Sequence, residues 1–438
     1  MGKRDTMMGV IEIALDPGRF VGDRGCFSFV DDLEDVAEQI RALVAKEPAR
    51  AAELYEAFIA GCYEKAEEVD DSSGSLGMFV GELFCGWVKA RQAAGAAPDE
   101  TAHRLLQWMD EDPYGFCHGI EDKLVKVLDR DNLAAFEREV RVRFDAAPTT
   151  LDASGYQPYP RRHWGDVLRE TCAARGDIKA YLAVCDGTRL VPKDCLAVAQ
   201  MLRTRKKASE ALSWVEKGLR LDRGRAGGAA RGELEDLKRE LLKKLGRGED
   251  ALQLAWKEFV RWPHEITYKE LMRYVPKENR EAWHAKAIEA ASKAAPRDAI
   301  PFLAEHGEVE RLAERVRRVK DVTLEEIGYH STEDAAKLLA KSEPVLAGRI
   351  HQAHGMSVLK AGKSKHYPAA LGHFEEAKRC YERAGHPEAW EKLVEKTRTE
   401  HSRKTGFLES LQQIGKRAKA EPSFLERARS RWLKSQRT

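Results

Sequence analysis

No apolar run in this sequence approaches the roughly 20 residues that a helix needs to span a bilayer. The N-terminal segment also lacks the continuous apolar core of a signal peptide, because Glu12 and Asp16 interrupt it. These two absences argue against a membrane-spanning protein and against a secreted one. We therefore predict a cytoplasmic location and no membrane partner.

Paired cysteines are also missing from the sequence. The eight cysteines are dispersed and form no Cys-x-x-Cys motif. Several of them lie among apolar residues at helical spacing, which is typical of small buried side chains. We predict buried free thiols in a reducing compartment, not disulfides or a metal cluster, for Cys26, Cys62, Cys85, Cys117, Cys172, Cys185, Cys195 and Cys380.

Catalytic motifs are absent as well. The sequence contains no P-loop, no dinucleotide-binding fingerprint after a strand and no Gly-x-Ser-x-Gly. His351 and His354 have the i, i+3 spacing of a metal-binding pair, but no carboxylate or thiolate stands at a convincing third position. His366 and His373 follow them in sequence, and we interpret all four as ordinary surface histidines. We predict no catalytic, cofactor-binding or metal-binding residue. The alternative is a hydrolase or nuclease whose active site has no recognisable sequence motif.

The sequence is instead rich in amphipathic helix. Ala, Leu, Glu, Lys and Arg dominate it, whereas alternating Val, Ile and Thr are scarce. Two stripes at helical spacing stand about 40 residues apart, a distance typical of helical repeats: Ala208, Ala211, Leu212, Val215 and Leu219, then Ala251, Leu252, Ala255, Trp256 and Phe259. A two-helix unit cannot bury its apolar face alone. We predict an all-α fold, an α-solenoid of irregular antiparallel helix pairs that resembles tetratricopeptide or HEAT repeats.

The net charge of +2 conceals an uneven distribution. Residues 1–150 carry 17 basic and 30 acidic side chains, whereas residues 151–438 carry 57 and 42. Between them, residues 146–160 contain three prolines and no periodicity, as in a linker. We predict an acidic N-terminal helical domain over residues 1–145, a linker over 146–160, a helical-repeat solenoid over 161–405, and a C-terminal capping helix with a basic arm over 406–438.

Several phrases in order along the chain resemble one protein family. They are HRLLQWMDEDPYGF at residues 103–116, RRHWGDVLRETCAARGDIKAYL, KKASEALSWVEKGL and GRGEDALQLAWKEFVRWPHEITYKEL. Together they resemble the helical region that follows the zinc finger in bacterial SWIM zinc finger proteins, and related stand-alone bacterial proteins, over residues 14–408. The resemblance implies a tetratricopeptide-like fold without assigned catalytic residues. The finger itself is absent, because the sequence lacks Cys-x-Cys followed by Cys-x-His, so zinc and DNA binding by a finger do not transfer.

Two functional hypotheses follow from the fold and the charge. Solenoids present long concave surfaces, so the first hypothesis is a non-enzymatic scaffold that binds a protein partner in its groove. The second is a nucleic-acid-binding protein, because basic side chains that contact phosphates dominate such affinity. Its candidate contacts, which would equally suit an acidic partner, are Arg203, Arg205, Lys206, Lys207, Arg223, Arg225, Arg231, Lys416, Arg417, Lys419, Arg427, Arg429 and Arg431.

Overall fold

The computed structural model describes residues 6–151, 157–222 and 229–414 of the chain. Within these ranges the chain forms α-helices, three short 3₁₀-helices and one isolated parallel bridge between Val21 and Val69. Consecutive helices joined by short turns pack side by side, so they run antiparallel. The predicted all-α fold of irregular antiparallel helix pairs, an α-solenoid, is confirmed.

The chain divides into two compact units, Met1–Leu241 and Leu242–Thr438. The first unit contains α1 (Thr6–Ala14), α2 (Asp23–Leu43), α3 (Pro48–Lys65), α4 (Ser75–Ala93), α5 (Pro98–Asp110), α6 (Glu121–Val127), α7 (Arg130–Ala146), α8 (Tyr159–Ala174), α9 (Ile178–Asp186), α10 (Pro192–Thr204) and α11 (Ala208–Leu221). A 3₁₀-helix at Ala66–Glu68 follows α3, and α12 (Ala229–Lys244) contains the point of division.

The second unit continues with shorter helices. They are α13 (Gly248–Arg261), α14 (Glu265–Tyr274), α15 (Arg280–Ser292), α16 (Pro296–Glu305), α17 (Val309–Arg318), α18 (Asp321–Ile327), α19 (Tyr329–Ser342), α20 (Pro344–Lys360), α21 (Tyr367–Arg383), α22 (Pro387–Glu400) and α23 (Thr405–Gln412). Two 3₁₀-helices, Lys277–Asn279 and Ser364–His366, precede α15 and α21.

Local sequence explains where many of these helices begin and end. Pro48, Pro98 and Pro344 stand in the first turn of their helices, where a missing N–H costs nothing and a fixed φ favours the helix. Gly95 and Gly176 follow α4 and α8 with φ of 68°, the left-handed conformation that ends a helix without strain for glycine. Short turns of this kind force neighbouring helices to pack against each other.

Each unit has its own apolar core. In the first unit, Phe84 and Trp87 are buried on α4 and meet Trp108 of α5 edge to face, with ring centroids 5.3 and 4.9 Å apart. In the second, Phe302 of α16 is buried against Phe259 of α13. Each fully buried aromatic or aliphatic side chain contributes about 1.5–3 kcal/mol, so these contacts hold the helices of each unit together.

The helix pair α20–α21 is fixed by two glycines. A Cβ atom at Gly348 would lie 2.7 Å from the ring of Tyr381, and one at Gly355 would lie 2.5 Å from the ring of Phe374. Both glycines and both rings stand seven residues apart, two helical turns, on facing helices. The rings therefore occupy the space that side chains on α20 would fill, and they set the register of the pair.

The segments on either side of the predicted linker lie in one unit. Arg161 of α8 donates a hydrogen bond to the carbonyl of Phe144 on α7, 3.0 Å away. At the other end, α23 buries Phe407 and Leu411 against the core that contains Phe374. The domain limits at residues 146–160 and 406–438 stay predictions, and most of the basic arm lies outside the described residues.

Candidate functional site

A groove lies between α2 and α4 in the first unit and encloses about 1080 Å³. Its apolar lining includes Phe79 and Leu83 of α4 and Tyr55 of α3, all nearly inaccessible to solvent. Tyr55 reaches this position because α4 has a glycine beside it: a Cβ atom at Gly86 would lie 2.5 Å from the tyrosine ring. Burial raises the pKa of the Tyr55 hydroxyl, so this surface stays uncharged.

The rim of this groove is acidic. Five carboxylates line it against two cations, Arg41 and Lys89: Asp31, Glu34, Asp35, Glu38 and Glu82. Two of the carboxylates have cationic partners, Glu38 with Arg41 at 2.5 Å and Glu82 with Lys123 at 2.8 Å. We call this surface the acidic groove.

The other three carboxylates of the rim, Asp31, Glu34 and Asp35, are exposed and form no ion pair within the described ranges. Asp31 and Asp35 stand at i, i+4 on α2, as do Glu34 and Glu38. Like charges at this spacing destabilise a helix by about 0.2–0.5 kcal/mol per pair. This repeated like-charge spacing is visible in the sequence, but our sequence interpretation did not use it.

A second candidate site lies in the last helix pairs of the second unit. His351 and His354 of α20 and His373 of α21 each place a ligand nitrogen within 4.8 Å of the ligand nitrogens of the other two. We call these three residues the histidine cluster. Tyr329 of α19 packs against it, with ring centroids 5.1 Å from His354 and 4.8 Å from His373.

The interpretation of these residues as ordinary surface histidines is wrong for this cluster. His354 is only 2% exposed, and His351 and His373 are half-buried. The reason is that α20 packs against both α19 and α21, which covers the face that carries the histidines. His366 is exposed, as predicted, and is not part of the cluster.

Burial keeps the histidine cluster neutral. Desolvation, together with neighbouring imidazoles, lowers the pKa of His351 to about 4 and that of His354 to about 3. Desolvation lowers the pKa of His373 as well. All three imidazoles are therefore uncharged near pH 7, and each retains a lone pair on one ring nitrogen.

Four of the five described residues of the predicted basic surface, all but Lys206, are held in internal contacts. The structure brings Arg203, Arg205, Lys206 and Lys207 together at the turn between α10 and α11. Arg203 pairs with Glu240 at 2.9 Å, Arg205 donates to the Gly176 carbonyl at 2.5 Å, and Lys207 pairs with Glu210 at 2.9 Å.

The remaining predicted contacts lie elsewhere on the chain. Arg231, at the start of α12, pairs with Asp222 at 3.2 Å and with Glu235 at 3.1 Å. The other residues of the prediction lie outside the described ranges: Arg223, Arg225, Lys416, Arg417, Lys419, Arg427, Arg429 and Arg431. The role of these residues as nucleic-acid or acidic-partner contacts stays a prediction.

Comparison with known sequences gives one family. The model of a family of unknown function (DUF6880) matches residues 17–410. No curated protein sequence matches the chain. Across the described residues, none of the helices combines the length and apolar character needed to cross a membrane.

Solved structures resemble the chain at low identity. A chain from the structure of Naa15/Naa10 bound to HypK-THB is 12% identical with a TM-score of 0.30, and the match covers 96% of this chain and 69% of that one. A circular tandem repeat protein with novel repeat topology is 13% identical with a TM-score of 0.22, covering 93% and 96%. Yeast Tom70 is 10% identical with a TM-score of 0.21, covering 97% and 99%. These values are too low to transfer a function to this chain.

Proposed function

The chain belongs to DUF6880, a family of unknown function, and we propose that it is a non-enzymatic helical-repeat scaffold for a basic segment of a protein partner. The observation that carries this proposal is the acidic groove, whose carboxylates Asp31, Glu34 and Asp35 are exposed beside a cleft with a partly apolar lining. A partner that supplies cations to this rim would also relieve the like-charge repulsion along α2.

The chemistry of the groove favours Lys and Arg over other side chains. Their long methylene stems pack on apolar surface while the charged ends reach the rim. Arg in particular forms paired hydrogen bonds to a carboxylate. Val44, Ala45 and Ala93 of the lining retain exposed apolar surface for the stems, and the α2 carboxylates accept the charged ends. A segment with basic residues at helical spacing fits a groove between two helices.

A peptide titration tests this function. A fluorescently labelled Lys/Arg-rich peptide with Leu at helical spacing should bind the full chain, and its affinity should fall as salt is raised. The triple variant Asp31→Asn, Glu34→Gln, Asp35→Asn should weaken binding roughly tenfold, since exposed charge pairs contribute about 0.2–1 kcal/mol each. Fluorescence anisotropy measures both effects.

A matched control distinguishes an effect of the groove carboxylates on affinity from an effect of the net charge of the protein. The triple variant Glu47→Gln, Glu64→Gln, Asp145→Asn removes three exposed carboxylates of the same unit outside the groove and should leave the affinity unchanged. Equal weakening by both triple variants would mean that the peptide follows overall charge, and the proposal would fail.

The nucleic-acid alternative is less well supported by the geometry. Among the described residues of that prediction, Arg203, Arg205, Lys207 and Arg231 already have internal acceptors. Binding of labelled RNA or DNA that weakens steeply with salt, and survives the groove variant, would favour the alternative. The relation to bacterial SWIM zinc finger proteins and the cytoplasmic location stay predictions.

A further inference from the structure

We propose that His351, His354 and His373 form a binding site for one divalent transition-metal ion of the zinc class. Three imidazole nitrogens from two facing helices lie within 4.8 Å of one another. Nitrogen ligands of one tetrahedral zinc ion stand roughly 3.3 Å apart, because Zn–N bonds are about 2.0–2.1 Å long. Metal binding therefore requires the side chains of the half-buried His351 and His373 to rotate so that their nitrogens come closer together.

Thr332 contacts one ring nitrogen of His354, as the second partner of a metal-binding histidine does. Its Nε2 lies 2.5 Å from the hydroxyl oxygen of Thr332, and that hydroxyl donates its single proton to the Gly328 carbonyl at 3.0 Å. In this arrangement the imidazole donates from Nε2 and keeps its lone pair on Nδ1. Metal-binding histidines almost always donate their other ring N–H to such a partner.

Two buried nitrogens in the cluster have no hydrogen-bond partner. They are Nδ1 of His351 and Nδ1 of His354, and the second belongs to a side chain that is 98% buried, since only 2% of its residue surface is exposed. A buried polar atom without a partner costs about 1–3 kcal/mol. Ring packing alone does not remove this cost, whereas coordination of a metal ion through these nitrogens would.

The surrounding charges suit a cation. The carboxylate of Glu333 on α19 acts electrostatically on all three imidazoles and opposes the lowering of their pKa values. Glu333 is itself paired with Lys337, 2.7 Å away. Neutral imidazoles need not lose a proton to bind an ion, so the cluster is ready to bind at neutral pH.

The ligand set selects the class of metal. Imidazole nitrogens suit Zn²⁺, Cu²⁺, Ni²⁺ and Co²⁺, whereas Mg²⁺ and Ca²⁺ prefer oxygen ligands. Three histidines leave a fourth position of a tetrahedral ion for water or another ligand. The ion would join α20 to α21 and so strengthen the pair that packs against the capping helix α23.

Metal titration of the untagged full chain, stripped with a chelator, tests the site. Calorimetry should show one Zn²⁺ bound per chain, Co²⁺ should give the intense visible absorption of a tetrahedral complex, and Mg²⁺ should give neither signal. His351→Gln and His373→Gln should each abolish the saturable Co²⁺ spectrum, while His366→Gln, the exposed control, should leave it unchanged. Thr332→Val should weaken Zn²⁺ roughly 10–100-fold, because it removes the acceptor that fixes His354.

A second measurement needs no variant. Bound Zn²⁺ should protect His351 and His373 from modification by diethyl pyrocarbonate, measured for each peptide by mass spectrometry, and should leave His366 reactive.

The proposal is overturned if the wild-type chain binds Zn²⁺ no more tightly than the His351→Gln, His373→Gln double variant. It is equally overturned if Zn²⁺ protects none of the cluster histidines.

Discussion

The two units of the molecule differ in the residue types that bind metals and react with electrophiles. Seven of the eight cysteines lie in the first unit and one, Cys380, in the second. Three of the thirteen histidines lie in the first unit and ten in the second. The cysteines are buried throughout, and several histidines of the second unit are buried or half-buried, yet burial changes the chemistry of the two residue types in opposite ways.

Burial makes the thiols of the first unit inert. All eight cysteines of the chain are free and buried, as predicted. Desolvation raises the pKa of Cys85 to about 11 and that of Cys117 to about 12. The thiolate is the reactive and metal-binding form, so these side chains act as small apolar residues near neutral pH.

Burial of the imidazoles in the second unit has the reverse consequence. Desolvation lowers the pKa of His306 and His401, as it does for the three residues of the histidine cluster. A neutral imidazole still carries a lone pair, whereas a protonated thiol is a poor ligand. The same desolvation therefore keeps the thiols of the first unit protonated, which makes them poor metal ligands, and keeps the imidazoles of the second unit neutral, with a lone pair on one nitrogen.

The largest effect is expected from breaking the two cores separately. Phe136 of α7 and Phe302 of α16 are both buried, one in each unit. Each change to Ala should lower the free energy of unfolding of its unit by about 3–5 kcal/mol, because it removes apolar contacts and leaves a cavity. Hydrogen exchange resolved by peptide should show the loss in the mutated unit. An equal loss of protection in both units after either change would mean that the two units unfold together. Their stabilities could then not be compared separately.

Acid should weaken the second unit more than the first. In the metal-free chain, folded His351 and His354 stay neutral until about pH 4 and 3, whereas unfolded histidine takes up a proton near pH 6.5. Stability is therefore lost as pH falls below 6.5, because the unfolded state binds more protons. Between pH 6.5 and 5 the loss should be on the order of 3 kcal/mol, measured by denaturant unfolding with hydrogen exchange.

The acid effect has an internal control. The double variant His351→Gln, His354→Gln removes both titrating groups and should make the stability of the second unit less dependent on pH over the same range. His163 is the histidine of the first unit whose pKa burial lowers, so that unit should respond less. A first unit that loses as much stability as the second would contradict the assignment of the effect to buried imidazoles.

An intermediate effect is expected from the glycine contact that sets the histidine cluster. Gly355→Ala places a Cβ atom against the ring of Phe374, and such overpacking costs about 1–3 kcal/mol. It should also weaken Zn²⁺ binding, because α20 and α21 must separate or slide. Gly372→Ala is the matched control, since its Cβ atom meets no neighbour within 4 Å. It should be neutral or slightly stabilising, as measured by thermal melting and calorimetry.

The smallest effect is expected from thiol reagents. Dithionitrobenzoate should modify none of the eight cysteines in the native chain and all of them in guanidinium chloride, because native thiols are buried with raised pKa values. Absorbance of the released thionitrobenzoate counts the reacted groups. A cysteine that reacts rapidly in the native state would identify a locally open helix and would weaken the contrast between the two units.

Much of the fold was predictable because its signals are local. Periodic apolar residues gave the stripes of α11 and α13, where Ala211, Leu212 and Phe259 are buried as expected. Prolines and glycines at helix ends depend only on neighbouring residues, and so does the burial of cysteines within apolar stripes. The all-α class follows from the same short-range preferences.

The acidic groove is an intermediate case. The like-charge spacing of Asp31 and Asp35 is visible in the sequence, and it marks an exposed face of α2. The cleft beside it depends on Gly86 meeting Tyr55, a contact between α4 and α3 that no local pattern specifies. The acidic face of α2 is therefore predictable from the sequence. The groove beside that face depends on how α3 and α4 pack.

The histidine cluster was decided by tertiary structure alone. His351 and His354 form a visible pair on α20, but the third ligand, His373, comes from the next helix. Its position depends on the register of α21, which the contacts of Gly348 with Tyr381 and of Gly355 with Phe374 determine. Helical periodicity shows which face of a helix is buried, but it does not show how far one helix is shifted along another. That shift follows from side-chain shapes meeting across the pair, because close-packed interiors accept few arrangements, and here it places three imidazoles together.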